Sequence, residues 1–149
     1  MKRKLFINLA VNNLKASTDF YLQLGFSFHP QFSDESARCI VLSDHLYLML
    51  LTKDKFASFS PHPLANSQDQ TQILNCLSCY SKAEVDELVQ KALKAGGKTY
   101  NQPQDHGFMY AHGFQDLDGH VWELVYMEML QASFEKSNHL LDQLKQAVK

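Results

Sequence analysis

Residues 114 to 127, FQDLDGHVWELVYM, gather two aspartates and a histidine in a turn and then set one carboxylate, Glu123, inside an apolar strand. Among Val121, Trp122, Leu124, Val125 and Tyr126 a charge is costly unless it has a partner or a task. A carboxylate in that setting can ligate a metal, act as an acid or base, or orient a guest by accepting hydrogen bonds. It can also be held by a neighbouring polar side chain and do no chemistry.

The histidine able to join Glu123 is His112 in MYAHGF, and the turn decides whether it does. A type I turn through Asp116-Leu117-Asp118-Gly119-His120, closed by a bulge at Gly119, pairs 116 with 120 and sets Glu123 opposite Gly113. His112 then points away. A four-residue loop pairing 115 with 120 would instead set His112 across from Glu123 as a ligand or acid-base pair. Asp-Gly at the end of the turn favours the bulge, because glycine enters the left-handed region at no steric cost, and the second register stays open. Glu123 and His112 are the only metal candidates. The other six histidines lie in turns, loops, strand starts or the tail, without spacing such as H-x-x-x-H.

The three cysteines are Cys39, Cys76 and Cys79. Cys76-Leu-Ser-Cys79 spells C-x-x-C, but ILNCLSCY has the character of a strand, in which residues three apart point to opposite faces roughly 10 Å apart. Free thiols in a reducing compartment are expected. No nucleophile elbow, phosphate loop or dinucleotide fingerprint occurs, so covalent hydrolysis and Rossmann chemistry have no footing.

The elements that must position Glu123 form one unit written twice. KLFINLAV reads as a strand, Asn12-Asn13 as caps, and Leu14, Ser17, Phe20, Tyr21 and Leu24 as a helical face that Gly25 stops. FSFHPQFS, ARCIVLS and HLYLMLLT follow as three strands. Residues 53 to 71 are a polar, proline-containing linker with room for a short helix near Phe56. Then ILNCLSCY is a strand, Ser81-Lys82-Ala83-Glu84 a capping box, and Val85, Leu88, Val89, Ala92 and Leu93 a helical face ended by Gly96-Gly97. KTYNQ, GFMYAHGF and HVWELVYM close the second unit. LAVNNLKASTDF set against LSCYSKAEVDEL carries a weak repeat. The expected fold is α+β, two βαβββ modules forming a curved mixed sheet around a cavity. One domain covers 1–127, with modules near 4–52 and 72–127. A C-terminal amphipathic helix over 128–149 has its stripe at Leu130, Phe134, Leu141, Leu144 and Val148, which must pack on its own domain or on another subunit.

Composition agrees with one compact domain: 149 residues, 45% hydrophobic and 20% charged. The net charge of -2 comes from interspersed acids and bases, and no basic block is long enough to track a phosphate backbone, which excludes nucleic acid as the expected partner. No apolar run reaches the length of a membrane span, and MKRKLFINLAV lacks a cleavage-site pattern, so a cytoplasmic protein is expected.

The duplicated order, the helix NNLKASTDFYLQLGF and the ending DLDGHVWEL together resemble the vicinal oxygen chelate superfamily, the glyoxalase, bleomycin resistance and extradiol dioxygenase group, over residues 4 to 127. That resemblance implies sheets curled around a shared cavity, commonly within a homodimer. In enzymatic members it implies a divalent metal held by side chains of the first and last strands of each unit. Carried onto this chain, the histidine positions five residues before the ends of Leu9-Ala10-Val11 and Leu77-Ser78-Cys79 fall on Phe6 and Leu74. Aligning DHLYL with GHVWE puts Leu48 opposite Glu123, or Met49 if the register slips by one. Only Glu123 matches a ligand, so a divalent metal is disfavoured as a cofactor. Taking residues of one parity from each strand, the cavity walls are expected to be Phe6, Asn8, Leu48, Leu74, Cys76, Met109, Gly113, Glu123 and Val125. That make-up suits binding of a small, partly apolar molecule, in the manner of the family's resistance proteins, with Glu123 the sole candidate for catalysis. The alternative is a metal-dependent lyase, isomerase or dioxygenase that uses Glu123 with ligands from outside the family pattern, such as His112.

Overall fold

The computed structural model describes residues 2–148; Met1 and Lys149, the ends of the expected domain and tail, lie outside it, as does the side chain of Gln131. The chain is α+β, with two four-stranded mixed sheets, each with its own helix, and a C-terminal helix. The first module is β1 (Leu5–Val11), α1 (Leu14–Gln23), β2 (Ser27–His29), β3 (Ala37–Ser43) and β4 (Leu46–Thr52), in spatial order β1-β4-β3-β2. After a short helix α2 (Lys53–Phe59), the second module is β5 (Leu74–Ser78), α3 (Lys82–Lys94), β6 (Gln104–Asp105), β7 (Met109–Gln115) and β8 (Val121–Met127), in order β5-β8-β7-β6. The orders are the same, with β1 parallel to β4 and β5 parallel to β8.

The helices begin and end where their sequence directs. Asn13 caps α1, its Oδ1 accepting from the Ala16 N–H at 3.0 Å, and Ser81 caps α3 by accepting from the Glu84 N–H at 3.0 Å. Glu84 reaches back to the N–H of Tyr80, one residue ahead of the capping serine. Gly25 and Gly96, both at φ +101°, give each helix the left-handed stop that a residue with Cβ would resist.

Two expected strands are shorter than their sequences suggested. FSFHPQFS supplies only β2, because Pro30 has no N–H for a ladder and opens a 3-10 turn over Pro30–Phe32. KTYNQ makes a single bridge, Lys98 to Gln115, and the sixth strand is the two residues Gln104–Asp105. Side chains replace the ladder there: Thr99 Oγ1 donates to the Gly113 carbonyl at 3.0 Å, and Asn101 Oδ1 accepts from the Gly113 N–H at 3.1 Å. The segment follows β7 without being a strand, which carries Tyr100 across Gly113.

One hydrophobic core serves both modules. Leu9 and Val11 of β1, Ile40 of β3, Leu48 and Leu50 of β4, and Phe114, Trp122 and Leu124 of β7 and β8 pack with Phe20, Tyr21 and Leu24 of α1 and Val85, Leu88 and Val89 of α3. The rings of Phe20 and Phe114 (centroids 6.1 Å apart) and of Tyr21 and Trp122 (6.1 Å) join the first module's helix to the second module's sheet. A polar network runs through the same junction. The buried Tyr21 hydroxyl donates to Asp116 Oδ2 at 2.6 Å and accepts from Trp122 Nε1 at 3.0 Å. Asp116 Oδ1 accepts from the N–H groups of Asp118 (3.0 Å) and His120 (2.9 Å), so the turn is wound around this carboxylate. Asp118 in turn accepts from the Asn12 N–H at 2.8 Å and the Ser17 hydroxyl at 3.1 Å, holding the start of α1 where a negative charge suits the helix dipole.

The C-terminal helix α4 (Glu128–Ala147) touches its own domain chiefly through its root on β8. Its stripe is uncovered in the single chain: Phe134, Leu141 and Leu144 are each more than half exposed, and Val148 beyond its end is 87% exposed.

Tyr21→Phe will strip a donor from Asp116 and an acceptor from Trp122 inside the core, and is expected to cost about 1.5–3 kcal/mol in urea melts; a loss within a few tenths would show the network to be dispensable. The pH dependence has a definite sign. Burial raises the Asp116 carboxyl above its usual 3.8, outweighing the opposing pull of the His120 charge and the Tyr21 and backbone hydrogen bonds. Between the unfolded and folded values the folded chain keeps a proton that the unfolded chain has released, so this group's contribution to stability falls as pH rises through that window. Asp116→Asn removes the contribution, and the stability gap between wild type and variant should therefore widen from pH 7 towards pH 4. A gap that narrows on acidification contradicts the assignment.

Candidate functional site

Glu123 lies in the middle of β8, whose neighbours fix its surroundings. It pairs in register with Cys76 of β5 on one side and Gly113 of β7 on the other. The hairpin is the bulged one: the Asp116 N–H donates to the His120 carbonyl at 3.1 Å, the Gly119 N–H to the Asp116 carbonyl at 3.2 Å, and Gly119 stands at φ +85°. The linker also passes against Gly119, where a Cβ would overlap the Ser67 carbonyl.

That register sends His112 to the other face, opposite Leu124. His112 is 9% exposed, and its Nε2 lies 3.0 Å from the Asn101 carbonyl and 3.1 Å from Thr99 Oγ1. The expected alternative, in which His112 joins Glu123 as a ligand, is therefore corrected: the bulge shifts the strand by one residue, and one residue reverses the face. His120 is also engaged, its Nε2 2.8 Å from the Ala10 carbonyl of β1, a contact between modules.

The same parity rule corrects Leu48. It is fully buried in the core against the α1 side of the first sheet, paired with Ile7 and Ile40. The residue in the position corresponding to Glu123 is Met49, which pairs with Asn8 as Glu123 pairs with Cys76. Met49 takes this place because β4 starts at Leu46, straight after the Asp44-His45 turn, and the β3–β4 ladder shifts register between Val41 and Ser43.

The other expected wall residues fall on the sheet faces turned away from the core. Phe6 is 41% exposed and its ring stacks on Tyr47 at 4.8 Å; Asn8 follows two residues later. Leu74, 57% exposed, and Cys76, also exposed, flank Glu123 on β5. Met109 and Val125 lie farther along the β7–β8 hairpin, and Val125 is buried. In the single chain Phe6, Leu74 and Cys76 on this face are open to solvent. Asn8 lines a half-open pocket of about 200 Å³, bounded by β1, Phe56, the linker near Leu64 and Ile73, and His120. A larger groove of about 610 Å³ lies at the opposite strand ends, between the turn after α1, the start of α3 and the root of α4.

Tyr100 completes the Glu123 face, and sequence reasoning missed it by assigning KTYNQ to a regular strand. Its hydroxyl donates to the Trp122 carbonyl at 3.2 Å, and its ring occupies the space that any Cβ on Gly113 would fill. Burial and then the nearby Glu123 charge raise the Tyr100 hydroxyl above its usual 10. The same two causes, in the same order, raise the Cys76 thiol above 9, so it is a neutral thiol at physiological pH. Outside the backbone ladders with Cys76 and Gly113, the Glu123 carboxylate makes no hydrogen bond or ion pair with any described residue, Asn8 included. Cys39, Cys76 and Cys79 are free thiols; Cys79 is buried, and burial pushes it up to about 12.

A divalent metal does not fit the family position. Phe6 and Leu74 offer no donor, Met49 offers only a soft thioether, and Glu123 is left as a single hard ligand. Among the described residues no group of three or more His, Cys, Asp and Glu side chains is placed to hold an ion.

Known structures with this arrangement were found in number. A hypothetical protein from S. aureus is 29% identical, with a TM-score of 0.71 over 85% of this chain and 95% of that one. A glyoxalase-related enzyme from Fulvimarina pelagi (18% identity, TM-score 0.71, 85% of this chain and 88% of that) shares the fold. So does a genomically encoded fosfomycin resistance protein from Listeria monocytogenes (17%, 0.63, 88% and 98%). No curated protein matches the chain. The sequence profile of the Glyoxalase/Bleomycin resistance protein/Dioxygenase superfamily matches residues 5–124, and with the duplicated βαβββ order this establishes that the chain belongs to that superfamily.

Proposed function

We propose that this chain binds a small, partly apolar molecule on the Glu123 face and does so without the metal-centred chemistry of the superfamily's enzymes. The observation that carries this reading is the donor set: Glu123 stands on an apolar face with Phe6, Leu74 and Met49 at the positions where the other ligands would be needed. A lone carboxylate leaves a divalent ion largely aquated and weakly held, and a Lewis acid that is not held cannot polarise a substrate. The same face has the composition of an organic-ligand site, apolar walls with a few polar groups to fix orientation. A homodimer completes the site in this reading. Its support is the open state of Phe6 and Leu74 and the bare stripe of α4, apolar surface that a second copy would remove from water. Three free thiols suit a reducing compartment, which supports a cytoplasmic location in this reading.

Stripping the protein with chelator and then adding Ni, Zn, Mn or Fe should move the melting temperature by less than about 1 °C, since an ion that does not bind the folded state cannot stabilise it. Stoichiometric metal measured on the purified protein, and lost in Glu123→Gln, would overturn the reading. Sedimentation velocity should give twice the chain mass, and removal of residues 128–149 should shift the equilibrium towards monomer; an unchanged mass after truncation removes α4 from the interface.

A further inference from the structure

We infer that the Glu123 face selects an organic cation, an amine or quaternary ammonium carried on a flat apolar body. This rests on the proposed small-molecule binding at that face and adds the sign of the guest's charge.

Glu123 is partly withdrawn from water between β5 and β7, with the buried Val121 and Val125 two residues away on its own face. No described side chain or backbone group donates to its carboxylate, and no Lys, Arg or His nitrogen forms an ion pair with it. Lys98 shares the face, opposite Gln115, but is exposed and unpaired; Lys4, beside the first sheet, is engaged with Tyr47, its Nζ 5.3 Å from the ring centroid. A carboxylate that has lost part of its hydration without gaining a partner favours whatever supplies positive charge, and repels an anion. The second element is Tyr100. Its ring is seated on Gly113, is pinned by the hydroxyl's bond to the Trp122 carbonyl, and remains 43% exposed beside the carboxylate. An exposed aromatic ring next to an unpaired carboxylate lets a cation form an ion pair and, by stacking on the ring, also meet the negative side of its quadrupole. Cys76, on the other flank, is held as a thiol and adds no competing charge.

The test compares three probes of one shape, 4-phenylbutylamine, 4-phenylbutan-1-ol and 4-phenylbutyrate, titrated into the full chain and followed by amide NMR shifts. The amine should bind at least about tenfold more tightly than the alcohol, since charge-assisted hydrogen bonds exceed neutral ones by more than 1 kcal/mol. The butyrate should bind most weakly, and the shifts should centre on Cys76, Gly113 and Glu123. Glu123→Gln, with its spectrum confirming a folded chain, should abolish the preference for amine over alcohol. Tyr100→Leu should reduce that preference while Tyr100→Phe keeps it. Equal affinities for amine and alcohol, or a preference that survives Glu123→Gln, overturns the cation proposal and leaves small-molecule binding standing. If none of the three shifts those residues, both fall.

Discussion

The hydrogen bond from Tyr21 to Asp116 holds the two halves of this molecule in one arrangement. A buried carboxylate is an expensive group, and it is tolerable here because four donors or near donors converge on it: the Tyr21 hydroxyl, the N–H groups of Asp118 and His120, and, through Tyr21, the Trp122 indole. Those donors come from α1, the turn and β8. Fixing Asp116 therefore fixes the turn, the turn fixes the register of β7 on β8, and the register decides which side chains of β8 face the core. Trp122 and Leu124 go inward; Glu123 is left outside.

Much of this was legible in the sequence, and the part that was not has a common physical origin. The repeat of strand, cap, helix and glycine stop could be read because capping and stopping are local, decided within a few residues at Asn13, Gly25, Ser81 and Gly96. The bulge at Gly119 could be read for the same reason. Leu48 and KTYNQ could not. Whether Leu48 or Met49 faces the core depends on where β4 starts, and in an apolar run such as HLYLMLLT alternation gives no sign of it. KTYNQ has strand residues, yet Thr99 and Asn101 spend their side chains on the Gly113 backbone and so replace the ladder that the residue types suggested.

The failure at KTYNQ bears on the site. An ordinary edge strand would have set Tyr100 in a ladder beside β7, and Gly113 would then have been only a weak point in a strand. The irregular segment lays Tyr100 over β7, and Gly113 becomes the residue that makes the approach possible. The glycine and the tyrosine thus explain each other. A pattern of strand-forming residues hides this because it carries no information about a side chain that crosses its neighbour.

The three acids of DLDGHVWEL consequently have different roles although they lie within eight residues. Asp116 and Asp118, each 5% exposed, hold the turn and the start of α1, and their hydrogen bonds are filled by the chain itself. Glu123 has the same chemistry and none of those partners. A fold that needed the motif only for its own stability would require the first two acids and would gain from an apolar residue at the third, because an unpartnered, half-buried carboxylate costs stability without supporting anything. Folding alone therefore does not account for Glu123, and Phe6 and Leu74 add no donor that would help its carboxylate hold a divalent metal. In the reading proposed above its partner is a guest, and a carboxylate without an internal donor is what gives the proposed guest its positive charge.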